Sequence, residues 1–173
     1  MKKLSFLAIS ILCLFVNFNG FAQKDNDKRK SPHTTVKQTL ASGAEVSFFY
    51  GQPQVKGRTI GKDLEPKDGK VWRTGADEAT VFETSKPVKI NGKELPAGKY
   101  SFFTSVSNNT WTLIFNKTWD QWGAYDYKEK DDVLRVETKG LKGSFTEKLT
   151  FTINSKGEAN MLWGDNKVSF VIE

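Results

Sequence analysis

From Ala44 onward, apolar and polar residues alternate with a period of two, and no segment repeats with the 3.6-residue period of a helix. Ala44, Val46, Phe48 and Tyr50 alternate with Glu45, Ser47 and Phe49, and Trp111, Leu113 and Phe115 with Thr110, Thr112 and Asn116. Leu149, Phe151 and Ile153 alternate with Thr150 and Thr152, and Val168, Phe170 and Ile172 repeat the pattern near the C-terminus. Successive strand residues point to opposite faces, so each run presents one apolar face, as an antiparallel sheet with one buried side requires. Asn91-Gly92 lies between two short runs and predicts a two-residue type I′ hairpin. Pro96-Ala97-Gly98, Ser107-Asn108-Asn109, Asn154 to Gly157 and Gly164-Asp165-Asn166 predict further turns. The expected fold is all-β: an antiparallel sandwich, jelly-roll or Ig-like, of about eight to ten short strands.

Two stretches break the rhythm. Gln52 to Lys70 carries Pro53, Gly57, Gly61, Pro66 and Gly69, and Lys117 to Asp131 is rich in aromatic and charged residues. Long ordered loops in small domains often carry function, so both are candidates for the working end.

The N-terminus follows the plan of a secretory signal peptide over residues 1–22. Lys2 and Lys3 are followed by an apolar or small-residue run from Leu4 to Val16, and Gly20-Phe21-Ala22 places small residues at −3 and −1 of a peptidase site. Asn17 and Asn19 interrupt the run before it reaches the roughly 20 apolar residues a span needs, so no membrane insertion is expected after cleavage. Cys13 follows Leu12 within the run, which argues against lipidation. Residues 23–31 read as a flexible charged leader, and residues 32–173 as one β-sandwich domain. The expected destination is the periplasm or the medium.

Cleavage after Ala22 changes the chemistry available. The chain's single cysteine leaves with the signal, so thiolate catalysis, thiolate metal sites and disulfides are excluded from the mature protein. The whole chain carries +6; the signal takes two lysines and no acid, leaving +4, and the leader holds a further +2. The domain itself is close to balanced, which is not the footprint of a nucleic-acid partner. No phosphate loop, dinucleotide fingerprint or calcium-loop spacing occurs, and no cofactor or metal is expected. Asp126, Glu129, Asp131 and Asp132 read as a solvated acidic loop, with a calcium site as the alternative. His33, the single histidine, reads as a surface residue near a strand start; a Ser-His-Asp triad would have to be built on it alone.

Three constellations remain. In Trp72-Arg73-Thr74-Gly75-Ala76-Asp77-Glu78, Arg73 could hold a carboxylate or sugar acid bidentately, with Glu78 positioning it or acting as a base; the alternative is an internal Arg–Glu pair. Trp119, Trp122, Tyr125 and Tyr127, interleaved with Asp120, Gln121 and Asp126, could stack on a saccharide or fold inward as a plug. Arg58 could join the ligand site, and Arg135 on a strand needs a partner if it faces inward; for both the alternative is a structural ion pair.

The segments GKVWRTGADEAT (69–80), LPAGKYSFFT (95–104), QWGAYDY (121–127) and DVLRV (132–136) resemble, in matching order, the exported bacterial proteins catalogued as domain of unknown function 2911. The resemblance covers the chain from about Ser31 onward. It departs at Asp77, where the family pattern has Asn. It implies export and a β-fold and names no reaction.

The functional expectation is therefore an exported, non-catalytic binding module for a small polar or carbohydrate ligand. Arg73, Glu78, Trp119, Trp122, Tyr125 and Arg58 are its candidate contacts. A structural, partner-binding envelope protein is the first alternative. A hydrolase or isomerase using Glu78 or Asp77 as base, with Arg73 as stabiliser, is the second.

Overall fold

A computed structural model describes residues 28–173; the expected signal peptide, 1–22, and the leader through residue 27 lie outside the described residues. Among the described residues, nine strands follow one another: β1 (His33–Thr39), β2 (Glu45–Gly51), β3 (Ala76–Thr84), β4 (Val88–Ile90), β5 (Lys93–Leu95), β6 (Gly98–Ser107), β7 (Thr110–Asn116), β8 (Asp132–Ile153) and β9 (Glu158–Val171). One 3₁₀ turn, Glu129–Asp131, precedes β8, and no α-helix occurs among the described residues. None of the described residues forms a helix long and apolar enough to cross a membrane. The protein is all-β and antiparallel. A seven-stranded sheet runs β1-β2-β3-β6-β7-β8-β9, and β4-β5 forms a small separate hairpin.

The alternation does the work expected of it. Val46, Phe48 and Tyr50 of β2 are buried while Glu45 and Phe49 are exposed. Asn91 and Gly92 take φ of 47° and 80°, the left-handed pair that matches a hairpin turn to strand twist, and Asn108 and Asn109 (48° and 60°) turn β6 into β7.

The sheet curls on itself around a cluster of phenylalanines. Phe48 of β2 lies 5.0 Å from Phe82 of β3 and 5.2 Å from Phe102 of β6, ring centre to ring centre. It also stacks on Phe151 of β8 at 4.6 Å and meets Phe170 of β9 edge-on at 6.2 Å. Phe115 of β7 closes the group against Phe82 and Phe102, each at 5.2 Å. The curl brings the far half of β8 back to the chain leaving β2. Gln54 bridges Lys148, the Phe151 amide donates to Tyr50 Oη at 3.2 Å, and Ile90 bridges Ile172.

Two expectations need correcting. β8 and β9 are not short: they span 22 and 14 residues. Gly164-Asp165-Asn166 makes no hairpin; β9 runs straight through it. The reason is the bend. From Lys142 to Thr146 and again to Thr150, β8 slips against β9, and Gly164 opposes Thr146 at the centre of the slip with φ of 57°. A Cβ on Gly164 would lie 2.5 Å from Ile60 Cδ1, so this glycine answers to a bulge and a close approach and not to a turn.

Phe48 has no exposed surface and touches rings from four other strands. Phe48→Ala is expected to cost about 3–5 kcal/mol, read as a lowered urea midpoint. A loss no larger than that of an exposed-site control such as Phe49→Ala would show that the cluster does not carry the fold.

Candidate functional site

The chain between β2 and β3 is the long excursion, and it forms one wall of a polar cleft of about 650 Å³. The buried pair Trp72 and Trp163 underlies it, ring centres 6.5 Å apart and nearly parallel. Trp163 is tied to the excursion by donating from Nε1 to the Glu65 carbonyl at 2.8 Å.

Arg73 reaches this cleft because its neighbours are pinned. Trp72 pairs backbone to backbone with Thr104, N–H to carbonyl at 2.7 and 2.9 Å. Thr74 then turns the chain with φ of 54°, unusual for a β-branched residue. The Thr74 hydroxyl donates to the Trp72 carbonyl at 3.1 Å and lies 3.0 Å from the Thr104 hydroxyl, while the Thr80 hydroxyl donates to the Thr74 carbonyl at 2.8 Å. Fully buried and held from three sides, Thr74 keeps a conformation that costs of order 1–3 kcal/mol elsewhere. Asp77, at φ of 63°, makes a second left-handed step.

These two steps separate the residues that the sequence places together. Arg73 and Asp77 line the cleft, and Arg58 joins them from the excursion. Glu78 turns away toward the start of β1. There Arg29 grips both carboxylate oxygens, at 3.0 and 3.1 Å, and His33 Nε2 lies 2.7 Å from Oε2. Arg29 also stands 3.7 Å from Asp77. No Arg73–Glu78 ion pair forms. The Arg73 guanidinium makes no hydrogen bond or ion pair among the described residues, and its Nε is buried without a partner. An unpaired buried donor costs about 1–3 kcal/mol, more on a charged group, which makes this atom conspicuous. Arg58 differs: Nη2 and Nε donate to the carbonyls of Gln54 (2.6 Å) and Val55 (3.1 Å), holding its own turn.

The aromatic loop lies beside this turn. The Ala79 amide donates to the Gln121 carbonyl and the Gly123 amide to the Asp77 carbonyl, both at 3.0 Å, so residues 121–123 extend the sheet along the start of β3. The loop's rings then divide. Tyr127 packs inward on Phe103, 5.1 Å centre to centre, in a second small core with Ala79 and Ile114. Trp119, Trp122 and Tyr125 stay exposed, Trp119 under the Lys99 ammonium at 5.3 Å, and none of the three lines the cleft. Arg135 is held by Asp132 at 2.7 Å and the Tyr127 hydroxyl at 2.9 Å. Burial first, and then the Asp132 carboxylate, push the Tyr127 phenol well above its ordinary range. Asp131 pairs with Lys117, and no cluster arranged to hold a metal ion occurs among the described residues.

Sequence reasoning passed over Arg29, read as part of a flexible charged leader, and did not single out Trp163. Pairing of β1 with β2, and of β2 with β3, aligns His33, Gly51 and Ala76 in one row. That row carries the leader to Glu78. The spacing of Arg29 and Glu78 in the chain gives no hint of the contact.

Fold and site define an all-β domain with an open, mixed-charge cleft lined by an arginine whose buried Nε has no partner among the described residues. The chain matches the family described as a protein of unknown function (DUF2911) over residues 31–172, and it belongs to that family. Comparison with curated proteins and with solved structures returns no match.

Burial raises the Glu78 carboxyl, but a backbone N–H and the His33 and Arg29 contacts outweigh it, so Glu78 titrates below its ordinary value of 4.5. A carboxyl depressed on folding adds stability that is present above the unfolded value and lost as pH falls through the folded one. Glu78→Gln is therefore expected to lower the urea midpoint at pH 7 and to match the wild type near pH 2–3. A pH-independent difference would show that the Glu78 charge does not hold Arg29.

Proposed function

We propose that this protein is an exported binding module whose cleft takes a small polar ligand bearing a carboxylate, with Arg73 as the anchor. The observation that carries this reading is the Arg73 guanidinium: fixed by a buried, left-handed Thr74, facing the cleft, and unpartnered among the described residues. A planar guanidinium presents a fork of donors that a carboxylate satisfies bidentately, which would supply the partner the protein lacks. Lys30, Lys56 and Lys67 around the cleft add favourable potential. In architecture, we read the curled sheet as a sandwich whose second layer is the bent β8–β9 hairpin, supported by the stacking of Phe151 on Phe48.

A carboxylate-based hydrolase or isomerase is the weaker reading. It asks for a carboxyl raised toward neutral pH, and Glu78 is shifted the other way. The exposed Trp119, Trp122 and Tyr125 favour a recognition surface beside the cleft, the feature a partner-binding envelope protein would use.

Titration with glycolate, acetate and glucuronate, followed by calorimetry and tryptophan fluorescence, should show saturable binding that Arg73→Ala weakens roughly 10- to 100-fold. Arg73→Lys keeps the charge without the fork and should recover only part of the affinity. If none of these acids binds, or Arg73→Ala alters stability alone, the anchor role is refuted. For export, the expected outcome is a mature protein outside the cytoplasm beginning at Gln23. Recovery of the chain from the cytoplasm with residues 1–22 intact would overturn that part of the reading.

A further inference from the structure

Arg73 also approaches the aromatic loop, just outside the lining of the cleft. Gly123 takes φ of 66°, and a Cβ placed on it would lie 2.9 and 3.0 Å from Cε2 and Cδ2 of Tyr125 and 3.8 Å from Arg73 Nη1. The phenol ring and the guanidinium therefore flank the same bare stretch of backbone, held in place by the Gly123 amide on the Asp77 carbonyl. Tyr125 is 82% exposed, and no ring contact or hydrogen bond engages it among the described residues. On the other side stands Asp77, whose carboxylate accepts no hydrogen bond among the described residues and whose nearest cation, Arg29, is 3.7 Å away. One cation, one open acceptor and one uncovered aromatic face thus meet at a single turn.

We propose that the ligand is a sugar acid: a pyranose ring with one carboxylate on Arg73, its hydroxyls donating to Asp77 and its apolar face packed on Tyr125. This rests on the reading of Arg73 as a carboxylate anchor. The cleft offers hydrogen-bond acceptors as well as cations. Asp63, Glu65 and Asp77 line it among Lys30, Lys56, Arg58, Lys67 and Arg73, so acceptors for hydroxyl donors stand beside the cations that attract a carboxylate. A ligand with one carboxylate and several hydroxyl donors meets the cations and the acceptors together. An acyclic acid would satisfy Arg73 and leave the Tyr125 face wet.

The test is calorimetry on the mature protein with three probes: glucuronate, glycolate (carboxylate without ring) and methyl glucoside (ring without carboxylate). Glucuronate should bind at least tenfold more tightly than either of the others. Tyr125→Ala should weaken glucuronate roughly three- to tenfold and leave glycolate unchanged, and Tyr125→Phe should retain glucuronate affinity. Tyr125 is so exposed that its truncation does not threaten folding. If glycolate or methyl glucoside binds as tightly as glucuronate, or Tyr125→Ala leaves glucuronate unaffected, the sugar-acid inference is overturned while the Arg73 anchor stands. If neither acid binds the wild type, the anchor itself falls.

Discussion

Six phenylalanines, one each from β2, β3, β6, β7, β8 and β9, meet in one cluster, and the rest of the molecule follows from bringing them together. A flat sheet in the observed strand order would leave Phe151 and Phe170 far from Phe48. Burying large rings is worth roughly 1.5–3 kcal/mol each, and a residue or two of broken ladder costs less. The sheet therefore curls, and β8 slips twice against β9 to let it. That bend sets the far half of β8 against the start of the excursion. Leu149 donates to the Pro53 carbonyl and Val55 to the Glu147 carbonyl, fixing the excursion that forms the cleft. The cleft is thus a consequence of how the core closes.

Electrostatics in the site are decided by backbone conformation more than by residue type. Thr74 and Asp77 both sit in the left-handed region, and between them the chain reverses the facing of its charges. Arg73 is delivered to the cleft without a counter-ion. Glu78 is delivered to the leader, where Arg29 and His33 satisfy it. An aspartate is among the residues that best tolerate a left-handed φ, so Asp77 holds this turn while carrying a charge.

The leader contributes to the domain. Lys30 and Ser31 line the cleft, and Arg29 anchors this stretch through Glu78. Charge density marks such a segment as solvated, yet Arg29 makes two hydrogen bonds to one carboxylate and His33 pairs with Gly51.

By itself, the sequence determined what depends on local geometry. Alternation specified strands because side chains on a strand point to opposite faces, and Asn-Gly specified a hairpin because its turn needs two left-handed residues in a row. Gly164 was misread as a turn, because a glycine that permits a bulge and one that permits a hairpin look alike until the partner strand is known. Tertiary structure decided which charges meet: Arg29 and Glu78 lie 49 residues apart in the chain, and only the register of β1 on β2 and β2 on β3 joins them. It decided as well that Tyr127 turns inward while Tyr125 stays uncovered, because loop residues of the same type are sorted by the surface the sheet leaves open.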